Sequence, residues 1–435
     1  ISGVNRVLGA TLTVYIFSGI IVSGVIIVFA SSIIGLFKVA PENLLNAVKA
    51  LRIAGAAFML STFASALRTI PEATQRYDIL TKYNFGLMII RYTAMYLIAK
   101  LGGGIIGLTL LVLFSAVVDI VCYTFIARIL IPGIQCYPNF EKKGIREVAG
   151  YGIFSFANSL IQKASMYVDQ LILGMYYSTA SVAHLTAPKE LISKAQGLIG
   201  AAGQPLFPRF SSMKEGEAMQ LLYMTSLWVL TVSSTVIFIP LAVVIPDFLA
   251  KWLTPDFAEH SSVFARYFSL GVAFNGGVTA YFALLKGTGR IRWLTNIILV
   301  ITVTQGLLKS VLVFKLGLIG TSISTIAFSA VGISLCLYVG NRIFSGFPIR
   351  RLFIETAMLP IVVGVSVFFA GCYLINDFEL TGWFGIALAY TLLFVMVLVI
   401  QFGINYLIFR NKSTGVHVIK SIYQSRHVVF RIPEK

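Results

Sequence analysis

Charge is scarce in this chain. Asp, Glu, Lys and Arg make up 12% of its 435 residues, about half of what a soluble domain carries, which excludes an ordinary water-soluble fold. Acids are scarcer still, 17 against 34 Lys and Arg, for a net charge of +17. The four cysteines, Cys122, Cys136, Cys336 and Cys372, show no CxxC spacing and sit mostly inside apolar stretches. A disulfide framework or a zinc site is therefore not expected. Connections between the apolar stretches are short, which leaves no room for a soluble domain.

What fills the chain instead is hydrophobic residue, 57% of the total. Stretches of about 20 apolar residues, each long enough to cross roughly 30 Å of hydrocarbon as a helix, recur from end to end. Twelve are predicted: 10–36, 48–70, 84–100, 104–131, 150–174, 180–206, 219–246, 262–285, 293–314, 317–340, 353–375 and 382–409. The expected class is an all-α integral membrane protein.

A pattern recurs at an offset of about 214 residues. Its first copy has Thr74, Arg76, Leu80, Thr81, Lys100-Leu101-Gly102, Gly104-Ile105-Ile106-Gly107 and Phe114 to Val117. The second has Thr288, Arg290, Leu294, Thr295, Lys315-Leu316-Gly317, Leu318-Ile319-Gly320 and Phe328 to Val331. Two homologous bundles of membrane helices follow, a common transporter architecture with the substrate site at the repeat interface. The expected organisation is an N-terminal bundle of four helices over 1–140 and a six-helix bundle over 141–345. Two peripheral helices over 346–410 and a basic cytoplasmic tail over 411–435 follow. The stretches 150–174 and 180–206 have no counterparts downstream of Ile1. The repeat thus predicts roughly 65 further residues and two helices upstream, making fourteen in all.

Positive charge predicts orientation. With connections counted alternately, one side holds 22 Lys or Arg and the other only Lys38, Lys100, Lys251 and Lys315. The positive-inside rule makes the first side cytoplasmic, the C-terminal tail included. Most of the net charge then reports topology and contact with anionic membrane lipids, not nucleic acid.

Eight basic residues remain in or at the ends of the helices: Lys49, Arg52, Arg91, Lys163, Lys189, Lys194, Arg266 and Lys309. Only four acids share that zone, Asp119, Asp169, Glu190 and Glu355. An ionisable group in a membrane helix costs several kcal/mol unless it snorkels, pairs or faces a wet cavity. The excess of cations implies an anionic ligand. On the fifth stretch Asn158, Gln162, Ser165 and Asp169 share a face by their spacing, with Lys163 on its flank. The sixth carries His184, Pro188, Lys189, Glu190, Lys194 and Gln196, and Pro188, which removes a backbone hydrogen bond, is a hinge candidate that would break the helix. Two readings fit: Lys189 and Lys194 face a ligand cavity, or they are structural partners of Glu190 and Asp169. Arg52 and Arg266 occupy equivalent places in the two repeats, either lining the outward mouth of a cavity or snorkelling. Arg91 lies deeper, and Lys309 is expected to snorkel from an outer helix end. Asn275, Gly276 and Gly277 mark a hinge or a point of tight helix packing.

The residues resemble the Wzx-like polysaccharide biosynthesis flippases of the multidrug/oligosaccharidyl-lipid/polysaccharide export superfamily. The resemblance covers essentially the whole chain. It rests on Gly102 to Gly107, Tyr151-Gly152, Asp169-Gln170-Leu171-Ile172-Leu173-Gly174 and Leu206-Phe207-Pro208-Arg209-Phe210-Ser211. It implies two pseudo-symmetric six-helix bundles plus two C-terminal helices, in a bacterial cytoplasmic (inner) membrane. It also implies transfer of an undecaprenyl-diphosphate-linked oligosaccharide from the inner to the outer leaflet by alternating access. A polysaccharide polymerase and chain-length machinery would be partners.

A diphosphate away from water needs cations. Charge placement, not a family motif, nominates Arg52, Arg91, Lys163, Lys189, Lys194 and Arg266. Asp119, Asp169 and Glu190 are the deep carboxylates available for coupling to a proton or sodium; no other cofactor is expected, and no enzymatic activity. Three alternatives remain: a lipid II flippase, a cation or drug antiporter of the same superfamily, and a membrane glycosyltransferase or polymerase. A net-positive interior is wrong for cation export. The last class needs an acidic or metal-binding outer loop, and 247–261 holds only Asp247, Asp256 and Glu259.

Overall fold

A computed structural model describes residues 2–74, 76–138, 166–377 and 382–409. The chain divides into two compact units, Ile1–Leu160 and Ile161–Lys435.

The first unit holds α1 (Ser2–Val28), the short α2 (Ala30–Gly35), α3 (Leu44–Ala73), α4 (Tyr77–Lys100) and α5 (Gly104–Leu130). Helix α3 packs against both α1 and α5, and α4 lies along α5. Leu12, Leu67 and Ala127 are fully buried at the centre of this bundle.

The second unit opens with a helical stretch over 166–172, α6, which widens into a π-turn at Leu173–Tyr177. Next come α7 (Thr179–Gly203), α8 (Leu206–Ser211), α9 (Glu217–Trp252), α10 (Pro255–Ala273) and α11 (Val278–Gly287). After these run α12 (Ile291–Leu316), α13 (Leu318–Ile343), α14 (Ile349–Phe353), α15 (Leu359–Asp377) and α16 (Gly382–Phe409). The starts are locally encoded. Ser178 caps α7 by accepting from the Ser181 amide at 3.0 Å. Thr254 caps α10 from the Phe257 amide at 3.1 Å, with Pro255 in the first turn, where a missing N–H costs nothing. Helix α9 is the axle of the unit: α10, α15 and α16 pack on it, and 78% of its most apolar window is buried in protein. Apolar burial gives no driving force between helices in lipid, so close packing has to supply it. At Gly276 any Cβ would collide with the Leu230 carbonyl of α9.

All twelve predicted stretches are helical over all or most of their described length, the fifth only from residue 166. Among the described residues, eight helices are long and apolar enough to cross a membrane. The pair α10 and α11 makes a ninth, bent by 41°. Helices α4 and α7 are as long as the others but less apolar, because Asp78, Lys82 and Arg91 interrupt one and Lys189, Glu190 and Lys194 the other.

The sequence repeat has a structural counterpart. Thr74 and Thr288 end α3 and α11 with nearly the same backbone, and each hydroxyl donates to the carbonyl four residues back, Ile70 at 3.0 Å and Leu284 at 2.8 Å. Arg76 and Arg290 then start α4 and α12. The two Lys-Leu-Gly sequences both terminate their helices on a glycine of positive φ, 74° at Gly102 and 59° at Gly317, where a side chain would be strained.

Candidate functional site

Two lysines of the second unit, from separate helices, converge on Asp169. Its carboxylate is fully buried. From α7, the Lys189 ammonium donates to Asp169 Oδ2 at 2.9 Å, to Oδ1 at 3.2 Å and to the Met166 carbonyl at 3.0 Å. From α12, Lys309 Nζ stands 3.5 Å from Asp169 Oδ2. Both lysines are buried, 8% and 7% exposed. Three helices thus meet at one carboxylate and two ammonium groups, an excess of one positive charge among the described residues.

Lys309 was expected to snorkel from a helix end. It does not, because α12 continues to Leu316, which puts Lys309 about 10 Å from the end at 1.5 Å per residue, and Asp169 lies beside it. Lys189 was open to two readings, and it is paired with Asp169, not Glu190. Glu190 and Lys194 are exposed, and neither joins the cluster. Helix α7 runs unbroken through the buried Pro188. Lys163, with Asn158, Gln162, Ser165 and Tyr151-Gly152, lies outside the described residues.

In the first unit Arg91 of α4 donates to Asp119 Oδ2 of α5 at 2.6 Å, and Tyr83 donates to Oδ1 at 2.7 Å. Tyr123 packs edge-on against Tyr83 with ring centroids 5.1 Å apart and donates to Asn84 at 3.2 Å. This pair is charge-balanced and only partly enclosed by protein, with Arg91 38% and Asp119 20% exposed. Arg52 is exposed on α3 and stands apart from it, while Arg266 is half-buried on α10.

A polar cleft of about 360 Å³ opens in the second unit between α7, α9 and the turn joining α10 to α11. Ser193, Gln196 and Gly200 line it from α7, Ser234 from α9, and Asn275 and Thr279 from the turn and the start of α11. In the sequence, Gln196 stands out only as a polar interruption and Asn275 only as part of a hinge or a tight-packing point. Ser193, Ser234 and Thr279 look like ordinary helix residues until the backbone brings them together.

Fold and charge thus define a multi-pass, all-α membrane protein with an electropositive interior cluster and a neutral polar cleft. Residues 8–260 match the family of polysaccharide biosynthesis proteins, and the chain belongs to that family. No curated protein matches the sequence. Among solved structures, the fold is similar to that of the lipid II flippase MurJ in its inward closed conformation. The TM-score is 0.73 at 16% identity, covering 92% of this chain and 85% of that one; identity this low speaks for the fold alone.

Proposed function

We propose that this protein is a flippase that carries an undecaprenyl-diphosphate-linked oligosaccharide, the repeat unit of an O-antigen, capsule or exopolysaccharide. It would move this lipid from the inner to the outer leaflet of the bacterial cytoplasmic membrane by alternating access. The observation that carries this reading is the buried set of Lys189, Lys309 and Asp169, with two cations to one anion. A buried charge is costly unless paired, and an entering diphosphate would complete the pairing. The prenyl chain can stay in lipid meanwhile. Membership in a polysaccharide biosynthesis family supports the glycan part of the substrate. Arg91 is already engaged by Asp119, which makes it a weaker diphosphate ligand than the lysines. Coupling to a proton or sodium would fall to Asp169, Asp119 or the exposed Glu190. The fold likeness to a lipid II flippase favours a second substrate of the same chemistry, lipid II itself.

Thermal stabilisation in detergent tests the reading. The protein should respond to an undecaprenyl-diphosphate glycan, less to uncharged polyprenol, and not to ethidium. Lys189→Gln and Lys309→Gln should each weaken the diphosphate response at least tenfold, since a charged hydrogen bond contributes about 1.5 to 3 kcal/mol. A stronger response to ethidium would overturn the proposal in favour of a cation antiporter. A stronger response to lipid II would select the second substrate.

A further inference from the structure

The cleft lined by Ser193, Gln196, Gly200, Ser234, Asn275 and Thr279 has a chemistry unlike its surroundings. A serine or threonine in a membrane helix ordinarily turns its hydroxyl back to the carbonyl three or four residues earlier. This chain follows that habit widely, for example at Thr62, Thr124, Thr186, Ser226, Ser310 and Thr325. Ser193 and Thr279 break it. Among the described residues, neither hydroxyl has a hydrogen-bond partner, and the same holds for the side-chain amides of Gln196 and Asn275. Ser234 donates to the Val272 carbonyl at 3.2 Å and keeps its lone pairs free to accept. The unpartnered groups are half-buried or exposed, so their hydrogen-bonding capacity is open to a ligand, and they converge on one space.

No charged residue lines the cleft, which points away from the diphosphate and towards a neutral ligand rich in hydroxyl and amide groups. The volume sits at the low end of the roughly 300–1,000 Å³ usual for small-molecule sites, right for a single ring and too small for a whole repeat unit. Position agrees. Ser193, Gln196 and Gly200 follow Lys189 at steps of four, three and four, so all lie along one face of α7. Ser193 stands about 6 Å along the helix from Lys189. A sugar joined directly to a phosphate held at the lysines would reach the cleft. The floor is open as well: a Cβ added at Gly197 or Gly200 would meet nothing within 4 Å.

We infer that this cleft is a sugar subsite, which seats the residue of the glycan nearest the diphosphate and reads its hydroxyl or acetamido groups. The inference rests on the flippase reading above and adds a specificity site to it. The test compares undecaprenyl diphosphate with undecaprenyl-diphosphate-N-acetylglucosamine, measuring affinity for the full-length protein in detergent by native mass spectrometry. The wild type should prefer the glycosylated lipid about tenfold, the effect of two modest hydrogen bonds. Gly200→Leu, whose Cβ has open space, and Gln196→Leu should erase that preference and leave binding of the bare diphosphate unchanged. Gly403→Leu, at another glycine with nothing within 4 Å, should change neither. If the preference persists in Gly200→Leu at wild-type thermal stability, or if the wild type binds both lipids equally, the sugar subsite is overturned while the flippase reading stands. If the wild type ignores both lipids, the flippase reading itself fails and takes this inference with it.

Discussion

Both units hold charge between apolar helices, but with different stoichiometry. In the first, one guanidinium meets one carboxylate, a tyrosine fills the second oxygen, and both partners stay partly uncovered by protein. In the second, two ammonium groups share a single carboxylate that no water reaches. Yet the repeat is kept at the helix ends, where Thr74 and Thr288, and Arg76 and Arg290, match in residue and conformation, and Gly102 and Gly317 share a positive φ. At the repeat offset Arg91 falls on Gln305, Asp119 on Ile333, and Lys309 on Met95. Residues that shape the backbone are shared between the units, whereas Arg91, Asp119 and Lys309 are not. The caps maintain helix boundaries that both bundles need, and interior charge is free to diverge with the task of each.

The comparison breaks most sharply at the two carboxylates. Asp169→Asn strands two buried ammonium groups, so it should cost about 3–5 kcal/mol. Asp119→Asn, at a one-to-one pair that the protein only partly encloses, should cost less, about 1–2 kcal/mol. Unfolding of the two variants in mixed micelles measures both, and equal losses would mean that the triad is no more buried in function than the pair.

A smaller effect separates the two lysines. Lys189→Met removes two bonds to Asp169 and one to Met166, and should destabilise by about 2 kcal/mol. Lys309→Met leaves a balanced Lys189–Asp169 pair and should stay within about 1 kcal/mol of wild type, because it relieves the excess charge. The same unfolding assay decides, and a larger loss for Lys309→Met would make the outlying lysine the structural one.

The smallest effect tests the shared ends. Gly102→Ala and Gly317→Ala each force a side chain into positive φ, at about 1 kcal/mol. Gly317→Ala should cost slightly more, since its Cβ would also meet the Tyr177 ring at 3.4 Å, while Gly102 faces open space. A measurable loss at only one of the two would show that the repeat is conformational in name alone.

Much of the charged core was legible in advance. Asp169, Lys189, Arg91 and Asp119 stand out because ionised side chains are rare in apolar stretches and must find partners. The choice of partner was not legible. Lys309 lies 140 positions from Asp169 in the chain, and a reading confined to one helix at a time places it near an end and lets it snorkel. The clue was that Asp169 is one of few acids in a basic zone and so would draw more than one cation. The glycines at Asn275 to Gly277 left a hinge and tight packing equally open; the structure shows a 41° bend there with Gly276 packed against α9, and the turn brings Asn275 and Thr279 to face α7 across a cleft.

Composition and periodicity by themselves determined the class of this protein, because a stretch of about 20 apolar residues has no stable state but a helix in lipid. The repeated Thr, Arg and Lys-Leu-Gly positions likewise determined where helices stop and start, since caps and positive-φ glycines act over a few neighbouring residues. The tertiary structure alone decided which charges meet and which hydroxyls are left without a partner. Those outcomes depend on how helices distant in sequence are rotated against one another, and an apolar helix that is nearly uniform around its circumference carries little record of the face it will turn inward.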